Sequence, residues 1–180
     1  MQSRLPLDWH QTVFELIDMR SFSNLWFWIA LAVMWSTASH WVIGVPYDLV
    51  LRARRQGGQA ETDLGDLVRI NVNRLLYVAR VSGLWLLGFG CFFLTALAIT
   101  GFMYDVEFAQ AVFLLLFPMS IVGLLSLSTA RLIETEHLVG EALHRRLGRH
   151  RFFTQFIGMI SIFLTAMWGM FQNLSLGPFG

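Results

Sequence analysis

Residues 35–55, WSTASHWVIGVPYDLVLRARR, decide how the chain is arranged. The stretch begins inside an apolar segment, passes His40 and a Gly-x-Pro break at 44–46, and ends among arginines. An apolar run that gives way to clustered arginines is typical of a membrane-spanning helix at its cytoplasmic end. The stretch therefore predicts an integral membrane protein and indicates which way the first span points.

The composition is that of a membrane protein. Hydrophobic residues make up 56% of the 180, and the mean hydropathy is +0.57, whereas soluble domains are about 45–50% apolar. The formal net charge is only +1, which gives no support to nucleic-acid binding. Cys91 is the single cysteine, which excludes an internal disulfide and a paired-cysteine redox site.

Four apolar segments are long enough to cross a bilayer, which takes about 20 residues for roughly 30 Å of hydrocarbon. They cover residues 25–45, 78–99, 108–130 and 152–174. The sequence therefore predicts an all-α protein with a single membrane domain, a four-helix bundle that runs up and down through the membrane. Residues 7–20 have the apolar and polar faces of an amphipathic helix, which we expect to lie in the membrane interface.

The arginines predict the orientation. Eleven of the thirteen lie in two connections, six between residues 52 and 80 and five between 131 and 151. The positive-inside rule places these connections in the cytoplasm, so both termini are expected on the non-cytoplasmic side of a bacterial inner membrane. Three arginines follow the first span directly and are expected to contact anionic lipid headgroups or partner proteins: Arg52, Arg54 and Arg55.

Both cytoplasmic connections are predicted to contain helical extensions of the spans. Residues 62–77 carry apolar side chains on one helical face, and residues 131–147 do the same after the third span. Asn71 lies on the apolar face of the first extension. An asparagine in such a seam usually fixes register or partner choice at a cost in stability, so Asn71 is a candidate interaction residue.

The second extension contains two Glu-x-x-His units, Glu134 with His137 and Glu141 with His144. In di-iron carboxylate bundles, pairs with this spacing supply an oxygen and a nitrogen ligand. In a continuous helix, however, all four side chains fall within an arc of about 80° opposite the apolar residues. A solvated charged face is therefore the preferred interpretation, and a metal site is the alternative.

His40 lies inside the hydrocarbon near its cytoplasmic boundary, about 22 Å along the first span at 1.5 Å per residue. Three interpretations are open: a b-type haem ligand, a proton-handling group, or a neutral side chain hydrogen-bonded to a neighbouring helix. Haem ligation ordinarily requires a second axial ligand at membrane depth, and no other histidine of the sequence meets that condition. We therefore expect the hydrogen bond and no cofactor.

A longer block carries a resemblance: residues 15–76, ELIDMRSFSNLWFWIALAVMWSTASHWVIGVPYDLVLRARRQGGQAETDLGDLVRINVNRLL. It resembles small alphaproteobacterial membrane proteins that carry the label component of SufBCD complex, and the resemblance extends over most of the chain. It implies an association with cytosolic iron–sulfur cluster assembly, in which this protein would serve as a membrane tether. It supplies no catalytic residues.

The sequence lacks a Gly-rich phosphate loop, a Gly-x-Ser-x-Gly elbow and a His-Glu-x-x-His zinc motif. We therefore predict a non-enzymatic accessory or scaffold subunit of an inner-membrane assembly. Its expected partners are membrane lipids and other membrane or cytoplasmic subunits, and a homo-oligomer is left open. One alternative is a small redox or metal-binding membrane protein that uses His40 or the Glu/His pairs. Another is a minor transport component.

Overall fold

A computed structural model describes the chain at Phe22 and from Leu25 to Ser175. Over these residues the protein is all-α, as predicted, with five helices and one two-stranded hairpin. The helices are α1 (Leu25–His40), α2 (Tyr47–Gln56), α3 (Gly58–Phe102), α4 (Glu107–Glu136) and α5 (Gly140–Ser175), and the hairpin strands are β1 (Trp41–Val42) and β2 (Val45–Pro46). The interfacial helix predicted at 7–20 lies outside the described residues.

Three helices, α3, α4 and α5, are long and apolar enough to cross a membrane. α3 has 45 residues, which at 1.5 Å per residue gives a length of ~68 Å, about twice the hydrocarbon thickness of ~30 Å. One half of α3 can therefore cross a bilayer while the other half projects from it. The prediction that residues 62–77 continue into the second span without a break is confirmed.

α1 is shorter than the first predicted span. It ends at His40 after 16 residues, about 24 Å of helix, whereas the prediction continued to residue 45. The chain then forms an antiparallel hairpin in which residues 41–42 pair with 45–46. Its turn residues, Ile43 and Gly44, have φ values of 52° and 73°, and a type I′ hairpin turn requires positive φ at both positions. The Gly-x-Pro break is thus part of a hairpin, and the helix stops before it.

The second helical extension also differs from its prediction. α4 ends at Glu136 and α5 begins at Gly140, so residues 131–147 are not one helix. His137 adopts the left-handed conformation, φ 48°, and its backbone N–H donates to Ile133 O. Helices often end in this way, although glycine is the usual residue there. The prediction was wrong because the apolar periodicity of residues 131–147 continues past His137, where the helix ends.

The larger hydrophobic core lies where α2 and the hairpin pack against α3, α4 and α5. We call this region, residues 41–76 and 130–151, the head. Its buried side chains come from all of these elements: Val42, Ile43, Val45, Val50, Ala53, Leu64, Val68, Val72, Leu76, Ala130, Ile133, Leu143 and Leu147. The arginine-bearing connections therefore form a folded unit with a core of its own.

The apolar halves of the helices pack less extensively. A smaller buried cluster joins α1 to α4 through Leu31, Trp35 and Val122, with Ile157 of α5 packed against it. In contrast, no residue in the most apolar 18-residue stretch of α3 is buried, and Leu84 on this helix is 84% exposed. This face of α3 is available to lipid or to another subunit.

Candidate functional site

α2 presents the three arginines that follow the first span. Its apolar side is buried in the head, and Arg52, Arg54 and Arg55 are exposed. Arg54 Nη2 lies 3.4 Å from Glu141 Oε1, with both side chains more than half exposed. Such a pair contributes only ~0.2–1 kcal/mol. Arg52 and Arg55 have no ion-pair partner among residues 25–175, so α2 presents free guanidinium groups on one side of the head.

Glu134, one of the alternative metal ligands, is in an ion pair. Arg80 Nη2 donates to both of its carboxylate oxygens, at 2.9 Å to Oε1 and 2.7 Å to Oε2. Hydrogen bonds between charged groups at these lengths are stronger than neutral ones. Because Arg80 belongs to α3 and Glu134 to α4, the contact links these two helices, and with side chains 67% and 37% exposed it contributes only ~0.2–1 kcal/mol.

The four Glu/His residues do not share a helical face. Glu134 and His137 lie at the end of α4, whereas Glu141 and His144 lie at the start of α5. His137 is exposed but His144 is only 7% exposed, so the predicted solvated face is wrong for His144. Within the described part of the chain, no three His, Cys, Asp or Glu side chains are grouped so that they could hold a metal ion. The break at 137–139 places the two Glu-x-x-His pairs on different helices.

His144 lies behind a carboxylate of α3. Its Nε2 is 3.0 Å from Glu61 Oε2, and its Nδ1 is 3.7 Å from Glu141 Oε2. Neither ring nitrogen has an aligned hydrogen-bond partner among the described residues. The Glu61 side chain is 33% exposed. The Glu61 carboxylate thus contacts a buried imidazole on one side and remains accessible on the other.

His40 does not have the environment that was predicted for it, a hydrogen bond to a neighbouring helix. It is the last residue of α1 and is exposed, with its ring edge-on to Trp41 at 5.9 Å between centroids. Among the described residues it makes no hydrogen bond to a neighbouring helix, because the helix ends there and the side chain points outward. A histidine bond of the predicted kind is made by His150, which is 3% exposed and has Nε2 3.1 Å from Ser126 Oγ.

Asn71 joins two elements of the head. Its Nδ2 donates to Gly44 O at 3.3 Å in the hairpin turn and to Leu67 O at 3.0 Å in its own helix. A Cβ added at Gly44 would lie 2.9 Å from Asn71 Oδ1, so the turn sits directly on this side chain. Asn71 therefore holds the hairpin turn against α3.

Replacing Asn71 with alanine is expected to lower the free energy of unfolding by about 1 kcal/mol, because the turn loses its hydrogen bond to α3. The control is Asn73→Ala: this side chain is exposed on the same helix, and its removal is expected to change stability by less than ~0.5 kcal/mol. Unfolding in a detergent titration, followed by circular dichroism, measures both. Equal values for the two variants would show that Asn71 does not hold the turn.

A groove of about 630 Å³ lies between α3 and the α4–α5 turn. Four buried side chains form its apolar part: Val68, Val72, Ile133 and Leu143. Three carboxylates line the same groove: Glu61, Asp66 and Glu134. The groove therefore combines an apolar floor with a lining in which carboxylates outnumber arginines.

Gln110, which the sequence pattern does not single out, is fully buried on α4. Its Nε2 donates to Gly101 O at 2.8 Å, and its Oε1 accepts from Trp168 Nε1 at 2.9 Å and from Gln172 Nε2 at 2.8 Å. These bonds join the end of α3 to the first turn of α4 and the last two turns of α5. A glutamine inside a predicted span is the signal that identifies such a position, because a polar group at that depth requires partners.

The buried face of α5 is also absent from the sequence predictions. Within the predicted fourth span it consists of small or hydroxyl-bearing residues: Thr154, Gly158, Ser161, Thr165 and Gly169. Small residues allow helices in membranes to approach closely. A Cβ added at Gly158 would lie 2.7 Å from Trp35 Cε3, so α1 and α5 are in direct contact here. The recurrence of small residues at intervals of three and four is the signal for this face.

The described residues thus offer a folded head with two chemically different surfaces, the arginines of α2 and the acidic groove. They bring together Glu141 and His144 but not all four predicted metal ligands, and within the described residues they give His40 no hydrogen-bond partner. Comparison with known proteins gives no further guide to function: no family model, no curated protein and no solved structure matches the chain.

Proposed function

We propose that the protein is a non-enzymatic accessory or scaffold subunit, held in a bacterial inner membrane by a four-helix bundle with its head in the cytoplasm. α1 is the short fourth member of this bundle. It packs against α5 where Trp35 contacts Gly158, and local thinning of the bilayer accommodates a short span at modest cost. Both termini then lie on the non-cytoplasmic side, as the arginine distribution predicts.

One observation carries the proposal: the arginine-bearing connections are not loops but a packed unit. Val45, Leu64 and Leu147 come from β2, α3 and α5, and each is fully buried in the head core. A rigid unit presents its surface in one geometry, which reduces the entropy that a partner loses on binding. The exposed guanidinium groups of α2 supply charge for recognition of an acidic partner or of anionic headgroups.

The resemblance to the small membrane proteins labelled component of SufBCD complex suggests which class of partner the scaffold binds. In this reading the head is the membrane tether for a protein of cytosolic iron–sulfur cluster assembly. The protein itself then contributes a docking surface and no chemistry.

The test is recovery of partners with the full chain. The tagged protein is purified from native membranes in mild detergent, and the proteins bound to it are identified by mass spectrometry. We expect a defined set of partners with the wild type, reduced about tenfold, equivalent to ~1.4 kcal/mol, by Arg52→Gln/Arg55→Gln. The control Arg74→Gln/Arg145→Gln removes the same charge from two other exposed arginines and is expected to retain the partners. Recovery of the wild-type chain alone would overturn the proposal.

A further inference from the structure

We propose that the groove between α3 and the α4–α5 turn binds an amphipathic helix of a partner protein that carries arginine or lysine beside its apolar face. The inference rests on the proposed scaffold function and deepens it, because it assigns the partner a second contact with the head, separate from the α2 arginines, and names the chemistry that the partner presents there.

The shape of the groove fits a helix. Its α3 wall runs from Glu61 to Asn73, about 18 Å at 1.5 Å per residue, or roughly three helical turns. The opposite wall is formed by the end of α4 and the turn after it, where Val139 is 76% exposed. Two walls around an apolar floor are the arrangement in which amphipathic helices bury their apolar face.

Gly65 keeps the groove open. It lines the groove in the middle of α3, and a Cβ added there would meet no atom within 4 Å. Glycine inside a helix costs roughly 0.5–1 kcal/mol relative to alanine, so nothing in the helix itself favours it. A larger side chain at this position would project into the space that the partner helix occupies.

The charge of the groove selects a basic occupant. Its lining has three carboxylates and one guanidinium, Arg69. Arg69 is 3.2 Å from Asp66, and Glu134 is paired with Arg80. Within the described part of the chain Glu61 contacts the buried His144 and no arginine, and its side chain is 33% exposed, so its carboxylate can also contact an arriving cation. The carboxylates of the groove repel the negatively charged phosphates of lipid headgroups. The same carboxylates attract and orient a positively charged helix.

The experiment uses the full chain in nanodiscs of phosphatidylcholine, with empty nanodiscs as the blank. The probes are two synthetic amphipathic helices of about four turns with the same leucine face, one flanked by arginines and the other by glutamates. Fluorescence anisotropy of the labelled peptides is expected to show binding of the arginine peptide only. Glu61→Gln and Gly65→Leu are each expected to weaken it about tenfold. The control Gly83→Leu, at another open glycine of α3, is expected to leave it unchanged.

Several outcomes would overturn the proposal. Binding of neither peptide, equal binding of both, or arginine-peptide binding that Gly65→Leu leaves intact would each show that the groove is not the site. A change in oligomeric state with Gly65→Leu, without an effect on peptide binding, would make a second copy the occupant instead. Co-purification of the native partners distinguishes this inference from the scaffold proposal. If the Gly65→Leu protein still co-purifies with them, the assignment of the groove fails while the scaffold function stands.

Discussion

Replacing Gln110 with leucine is expected to lower the free energy of unfolding by about 2–3 kcal/mol, a large share of the ~5–15 kcal/mol that stabilises a typical protein. Leucine is similar in size to glutamine, so the main change is the loss of hydrogen bonds. Gly101 O and Trp168 Nε1 lose their partner inside the protein, where Gln110 itself is 0% exposed. A Cβ at Gly101 would lie 2.8 Å from Gln110 N, so α3 and α4 are too close here for water to replace the bond to Gly101 O.

Detergent-titration unfolding followed by circular dichroism measures this loss. Trp168→Phe removes one donor and keeps an aromatic ring against Phe102, at 5.4 Å between centroids in the wild type, so it is expected to cost about 1 kcal/mol. The double variant should cost less than the sum of the two, because both remove the same bond. The control Gln59→Leu alters an exposed glutamine and is expected to stay within ~0.5 kcal/mol. A Gln110→Leu protein as stable as that control would show that the bonds do not hold the helices together.

The sequence predicts the long helices well because their signals are long. The continuous course of α3 follows from an apolar face over residues 62–77 that passes directly into an apolar span. The third and fourth predicted spans lie within α4 and α5 for the same reason. Over twenty or more residues, hydropathy outweighs any local preference for a turn.

The two helix ends in the head were not predictable in the same way. Residues 41–45 are apolar enough to continue a span, and the hairpin is formed by a turn at Ile43 and Gly44 that Asn71 supports from another helix. Likewise His137 ends α4 in a left-handed conformation, and α5 begins three residues later. Helix periodicity reports which face is apolar, but it does not report where tertiary contacts reverse the chain.

The candidate sites likewise divide into one that the sequence predicts and others that depend on contacts between distant residues. Exposure of Arg52 and Arg55 follows from sequence position alone. The groove does not, because its walls come from α3 and from a turn at 137–140 that the predicted continuous helix excluded. The partners of Gln110 lie 9, 58 and 62 residues away in sequence, and a single sequence contains no record of such contacts.

Replacing Gly158 with alanine is expected to destabilise the packing of α1 on α5 by about 1–2 kcal/mol, a typical cost of overfilling a packed interface. The added methyl group would lie 2.7 Å from Trp35 Cε3 and 3.1 Å from Cδ2. Trp35 is 5% exposed and belongs to the buried cluster that holds α1. Its ring cannot move aside without disturbing that cluster, so we expect α1 to be displaced. Detergent-titration unfolding measures the loss of stability, and limited proteolysis near His40 is expected to become faster as α1 loosens.

A second substitution makes this prediction specific. Trp35→Phe shortens the ring that meets Gly158, and Trp35 Nε1 has no hydrogen-bond partner to lose. Gly158→Ala is therefore expected to cost less in the Trp35→Phe background than in the wild type, a coupling that only a direct contact produces. The matched control is Gly123→Ala on α4, where a Cβ meets nothing within 4 Å and alanine should stabilise the helix by ~0.5–1 kcal/mol. If Gly158→Ala also stabilised the protein, or if the two changes were additive, α1 would not be held to α5 through this contact.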